Sequence, residues 1–189
     1  MQRRTGASVR AWGEVEAGGV PVEPLVDGEI IEAGAARLVT MHAPGHASDH
    51  VVFLLEGTAS LFAGDNVLGE GTAVIAPPDG DMGAYLATLE RLRDLDLERL
   101  YTGHFRPLDG GRRVIENYLE HRRARERAIL EALSQGAGSA EEIVERVYVD
   151  VAPELHPIAR FSVLAHLEFL QRKGEVGRDG DRWLRYKDG

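Results

Sequence analysis

The sequence predicts an α/β fold of layered strands and helices, followed by a small helical domain that ends in a hairpin. Three observations carry this. Strand-like runs fill the first hundred residues, a helical period sets in at residue 81, and Gln135-Gly-Ala-Gly-Ser139 breaks the chain before a last set of helices.

The elements run in order. Gly28 to Ala33 and Ala36 to Met41 alternate like half-buried strands across a Gly-containing turn. Val51–Leu55 and Ser60–Ala63 are apolar runs bracketing Glu56-Gly57-Thr58, which predicts a buried hairpin. After a loop rich in Gly and Pro, Asp81 caps a helix whose Tyr85, Leu86, Leu89 and Leu92 share one apolar face. Leu97 to Tyr101 reads as a further strand running into Thr102-Gly103-His104, and residues 112–133 as a charged helix. Ser139-Ala-Glu-Glu142 is a capping box that opens a helix through Val147. A third helix runs from Pro157 to Lys173, with Phe161, Leu164, Leu167, Phe169 and Leu170 as expected core, and Gly174 stops it. Residues 175–186 then form a hairpin turning at Asp179-Gly180.

Composition narrows the function. With no cysteine there is no disulfide, zinc–thiolate site or cysteine nucleophile, so any metal must use His, Asp or Glu. A net charge of −9 argues against a protein that coats nucleic acid, which needs a cationic face. No apolar run reaches membrane-spanning length and no secretory signal opens the chain, so a cytoplasmic location is expected.

Three histidines fall in Met41-His-Ala-Pro-Gly-His-Ala-Ser-Asp-His50, but Pro44-Gly45 forbids the helix that would align them. His46 stands out because it comes after a glycine just past a strand, at the rim where α/β folds place their sites. Asp65 ends the buried strand Leu61-Phe-Ala-Gly-Asp, where a carboxylate is costly unless paired, protonated or coordinated. His104 again comes after a glycine at a strand end. A lone strand-end His or Asp is more often a turn residue than a ligand; three together are compatible with zinc, iron or manganese. His50 reads as a supporting hydrogen-bonding residue. His42, His121, His156 and His166 read as strand, surface or packing residues.

These motifs resemble a family. Ala43-Pro-Gly-His46-Ala-Ser-Asp-His50 resembles the third metal-binding motif of metallo-β-lactamase-fold proteins, usually T-P-G-H-T/A-x-x-H. Phe62-Ala-Gly-Asp65 resembles the fourth, and Tyr101-Thr-Gly-His104 the fifth, usually P-G-H-G, with Thr102 and Phe105 as departures. The loop from Val67, the helix from Gly80, the pair His121-Arg122 and residues 147–170 resemble the β-lactamase-like protein 2 branch, which carries a small winged-helix domain at its C-terminal end. The resemblance implies a partial αββα metallo-β-lactamase sandwich with its linking helix over residues 1–133 and a winged helix over 134–189.

It also implies a metal-dependent hydrolase. His46 would serve one metal, His104 a second, and Asp65 would join them, with up to two zinc ions, or iron or manganese, acidifying a water that attacks an ester, thioester or RNA phosphodiester. The family's H-x-H-x-D-H motif occurs nowhere in these residues, and Gln2 to Trp12 resembles the helix end and the strand downstream of that motif. The expectation is therefore a truncated chain with weak or absent metal binding, inactive alone, and prone to self-association through an exposed sheet edge. The competing reading is a non-catalytic winged-helix binding module. Residues 171–189 hold six basic side chains against four acidic, which is weak for DNA.

Overall fold

The structure is a computed structural model that describes residues 6–15 and 18–186. Residues 2–5, part of the segment compared with the start of the family's fold, lie outside the described residues. Two short strands, β1 (Val9–Ala11) and β2 (Val22–Pro24), pair in parallel ahead of the main sheet. The main sheet has six strands in sequential order: β3 (Ile30–Ala33), β4 (Ala36–His42), β5 (Val51–Leu55), β6 (Ser60–Gly64), β7 (Arg99–Thr102) and β8 (Leu108–Asp109). All neighbours are antiparallel except β6 and β7. That parallel pair needs a crossover, and helix α1 (Met82–Arg93) lies within it. β1 falls in the segment where the resemblance expects a strand, whereas β2 and β8 are not signalled by the sequence, because runs of two or three residues carry no period.

Alternation along the strands assigns the faces. Val52, Leu61, Ala63 and Leu100 are buried and join Leu89 and Leu92 of α1 with Ile115 and Leu119 of α2 (Gly111–Ser134) in one core. The opposite face presents Phe62 and Tyr101, 40% and 38% exposed, with their rings stacked 5.0 Å apart.

A second core is built by the end of α2, helix α3 (Ala140–Val147), helix α4 (His156–Arg172) and the hairpin of β9 (Val176–Asp179) and β10 (Arg182–Arg185). The expected capping box is present: Ser139 accepts from the Glu142 amide while Glu142 accepts from that of Ser139. Phe161 corrects the expected core of α4, being 42% exposed. Its face is the one that no neighbouring element covers, whereas Val163, Leu167 and Leu170 point inward. The two cores are joined through α4, because Ala165 belongs to the sheet's core, Phe169 packs against it, and Arg172 pairs with Asp81 at 2.7 Å. Among the described residues no helix is long and apolar enough to cross a membrane.

One residue of α4 sets an acid limit on this packing. His166 is fully buried and neither ring nitrogen has a hydrogen-bond partner. Burial, with Arg122, His121 and Arg125 adding, pushes its pKa from 6.5 down to about 3. The unfolded chain therefore binds a proton that the folded chain refuses between those values, and stability held at neutral pH is lost as pH falls through that window. At about 1.4 kcal/mol per pKa unit the loss across the whole window is on the order of 5 kcal/mol. The melting temperature should drop from neutral pH to about pH 4. His166→Met should flatten that drop in circular-dichroism melts; an unchanged profile would clear His166 of the effect.

Candidate metal centre

The three site residues sit on separate strand ends, and in each case the preceding residue is a glycine whose missing side chain leaves room for another element. A Cβ on Gly45 would lie 2.3 Å from the Tyr85 Cα, so α1 presses against the turn that carries His46. A Cβ on Gly64 would meet the His50 ring at 2.7 Å, and one on Gly103 would meet Asp65 Oδ1 at 2.5 Å. Gly45 also has φ +134, which a side chain would strain.

His46, Asp65 and His104 are brought together. His46 Nε2 lies 3.9 Å from Asp65 Oδ2, and His104 Nε2 lies 3.5 Å from Asp65 Oδ1. The carboxylate thus faces one imidazole with each oxygen. His46 Nδ1 is 2.9 Å from the Val74 carbonyl, which can only accept, so Nδ1 carries the proton and Nε2 keeps its lone pair toward Asp65. Asp65 Oδ1 is buried without a hydrogen-bond partner, a costly state for a carboxylate oxygen and one a cation would relieve. The donor set fits a metal. Among the described residues, however, no group of three His, Asp or Glu is arranged to hold one ion. The geometry is that of one carboxylate between two imidazoles, at an open rim where the His104 side chain is 67% exposed.

His50 has no free lone pair to give. Its Nε2 accepts from the Asp65 amide at 3.0 Å, and the Asn66 side chain meets its Nδ1 at 2.9 Å. Burial, then the neighbouring His46, lowers its pKa. His50 therefore fixes the backbone of Asp65. His42 stacks on Trp12 with ring centroids 4.0 Å apart and contacts the Ser48 carbonyl, away from the carboxylate. His121 and His166 lie on α2 and α4.

Sequence reasoning gives no structural role to the residues that hold the long loop in place, although Arg122 is part of the pair that carries the resemblance. Tyr118 Oη takes the Leu68 amide at 3.0 Å and meets the Gly71 carbonyl at 3.0 Å, and buried Arg122 donates to the Ala73 carbonyl. Only the pairing of a large polar residue with an otherwise apolar helix face could have marked them. The departures around His104 now have a shape. Thr102 Oγ1 donates to the His104 carbonyl at 2.7 Å, and Phe105 occupies φ +68, the left-handed region, where the resembling motif has glycine.

Comparison with known proteins settles the family. Residues 4–104 match the metallo-beta-lactamase superfamily, and residues 139–183 match the beta-lactamase associated winged helix domain. The chain belongs to the metallo-β-lactamase superfamily. It is 34% identical over 161 residues to a beta-lactamase-like protein 2 homolog of Drosophila melanogaster, covering 83% of this chain and 53% of that one. It is 32% identical to an atrochrysone carboxyl ACP thioesterase of Claviceps purpurea, covering 67% and 41% of the two chains. A metallo-beta-lactamase family protein from Thermus thermophilus superimposes with TM-score 0.77 at 32% identity, covering 88% of this chain and 55% of that one. The chain thus spans about half the length of the curated relatives it matches.

Two substitutions separate strain from crowding here. Gly45→Ala collides with helix backbone and should cost at least about 3 kcal/mol in urea unfolding, whereas Gly103→Ala displaces the Asp65 side chain and only presses on the Gly64 backbone at 3.2 Å, and should cost less, about 1–2 kcal/mol. Phe105→Gly should raise stability by about 1 kcal/mol, since the ring is 66% exposed and little packing is lost; a destabilised variant would show that the ring is held.

Proposed function

We propose that this chain carries the His46, Asp65 and His104 portion of a two-metal hydrolytic centre. The observation that supports this is the Asp65 carboxylate, which faces a separate imidazole with each oxygen. Zinc is the first choice for an imidazole and carboxylate set, with iron or manganese compatible. When bound, the metals polarise a carbonyl or phosphoryl oxygen and make water acidic enough to be a nucleophile at neutral pH. His46 is held with Nε2 toward the centre by Val74, and His50 fixes the Asp65 backbone beside it. One His and a shared carboxylate per ion fall short of the three protein ligands usual for catalytic zinc. The chain by itself therefore binds metal weakly and does not turn over substrate.

The substrate class is an ester or thioester, or an RNA phosphodiester. The relative named as an ACP thioesterase supports the thioester. The stacked, half-exposed Phe62 and Tyr101 favour self-association through that sheet face, or pairing with a segment that covers it. The alternative of a DNA-reading winged helix is disfavoured because α4, which would enter the groove, spends Ala165, Phe169 and Arg172 on the sheet domain. A packing role suits it better. A cytoplasmic location belongs to the same proposal.

Titration calorimetry with zinc tests the reading. This chain should bind at least about a hundredfold more weakly than one joined to a segment bearing H-x-H-x-D-H. The joined form should bind two ions and hydrolyse a generic thioester, ester or RNA. His104→Ala in it should remove one ion and Asp65→Asn should weaken both. A joined form that binds no metal, or binds it equally well without Asp65, would end the proposal.

A further inference from the structure

A second cleft, of about 380 Å³, lies where the loop 71–74, α2 and the winged-helix domain meet. Its wall is basic in a chain of net charge −9: His121, Arg122 and Arg125 line it and no acidic residue does. The contrast along α2 is informative. Arg112, Arg123 and Arg127 on the outer side pair with Glu116, Glu90 and Glu120, whereas Arg122 and Arg125 make no ion pair among the described residues.

Arg122 is only 2% exposed. It donates to the Ala73 carbonyl and lies 5.2 Å over the Tyr85 ring, yet its buried Nε has no partner. Arg125 donates to the Val147 carbonyl and sits 4.2 Å over the Tyr148 ring. His121 Nδ1 is likewise buried without a partner. Carbonyls and ring faces soften the burial of a guanidinium but do not neutralise it, and a sequestered cation without a counter-charge is costly. The mouth of the same cleft is apolar: Leu155 and Ile158 are 50% and 47% exposed, beside Val151.

We propose that this cleft binds a small amphipathic anion, its carboxylate or phosphate received by Arg122 and Arg125 and its apolar body laid against Val151, Leu155 and Ile158. Guanidinium groups match the planar or tetrahedral oxygens of such heads through charge-assisted pairs. The volume suits a small molecule rather than a polymer. Val74 lines the cleft and also takes the His46 Nδ1 proton, so the ligand would rest on the segment that orients His46. The proposal does not depend on the hydrolytic reading.

The full chain is titrated by calorimetry and thermal shift with hexyl phosphate, hexanoate, inorganic phosphate and hexanol. Hexyl phosphate or hexanoate should bind and raise the melting temperature, and the better of the two identifies the head group. Phosphate and hexanol should each bind at least about tenfold more weakly than it does. Arg125→Gln should weaken the amphiphile about tenfold or more, with Arg125→Lys recovering part of the loss. Ile158→Ser, a neutral change at an exposed position, should weaken the amphiphile and leave inorganic phosphate unaffected. His104→Ala should change nothing. No binding by any probe at about 10 mM, or equal binding by wild type, Arg125→Gln and Ile158→Ser, would overturn it.

Discussion

The turn around His46 is fixed from three directions, and the placing of the site depends on it. The Tyr85 backbone fills the space a side chain on Gly45 would occupy, the Asp81 amide donates to the Gly45 carbonyl at 2.9 Å, and the Val74 carbonyl receives the ring proton. Asp81 is also the cap of α1, accepting from the Ala84 amide at 2.8 Å, and the partner of Arg172 on α4. One aspartate thereby ties the site turn to the start of the helix behind it and to the end of the helix above it. A capping bond is worth about 1 kcal/mol and an exposed ion pair less. The constraint comes from geometry: α1 cannot rotate without driving its backbone into Gly45.

Asp65 is held by a different logic. Its carboxylate has one oxygen buried and unpartnered, while its backbone is anchored by His50 and its strand end is crowded by Gly103. The fold thus uses His50 to position the backbone of Asp65, whose carboxylate faces the two other imidazoles. A residue that served stability alone would have both oxygens satisfied.

Much of this was legible in the residues. The apolar runs and the capping residues placed β4 to β6, α1 and α3 to within a residue or two, because those signals are local. The three candidate ligands were legible for the same reason, each being a polar residue after a glycine at a strand end. What their glycines are for was not legible. It depends on contacts between Gly45 and Tyr85, or Gly103 and Asp65, that are distant in the chain and meet only in the fold. Arg122 was invisible as a cation for the same reason. Phe161 was misplaced because α4 buries two faces, one toward its own domain and one toward the sheet, and a helix with two buried faces has no single apolar stripe to read.

That double burial bears on what the winged-helix domain does here. A recognition helix must leave one face free and cationic to enter a groove. In α4 the two buried faces leave Phe161 and Ile158 outward, apolar rather than basic, and the basic residues at the helix end are engaged by Asp81 and Glu126. Arg172 ties the domain to Asp81 while Arg160, Arg178 and Arg182 pair with acidic residues of the domain itself, and Val151, Leu155 and Ile158 form the mouth of the Arg122 cleft. A domain with that distribution acts as a wall: it closes one side of a small-molecule cleft and braces the loop on which His46 depends.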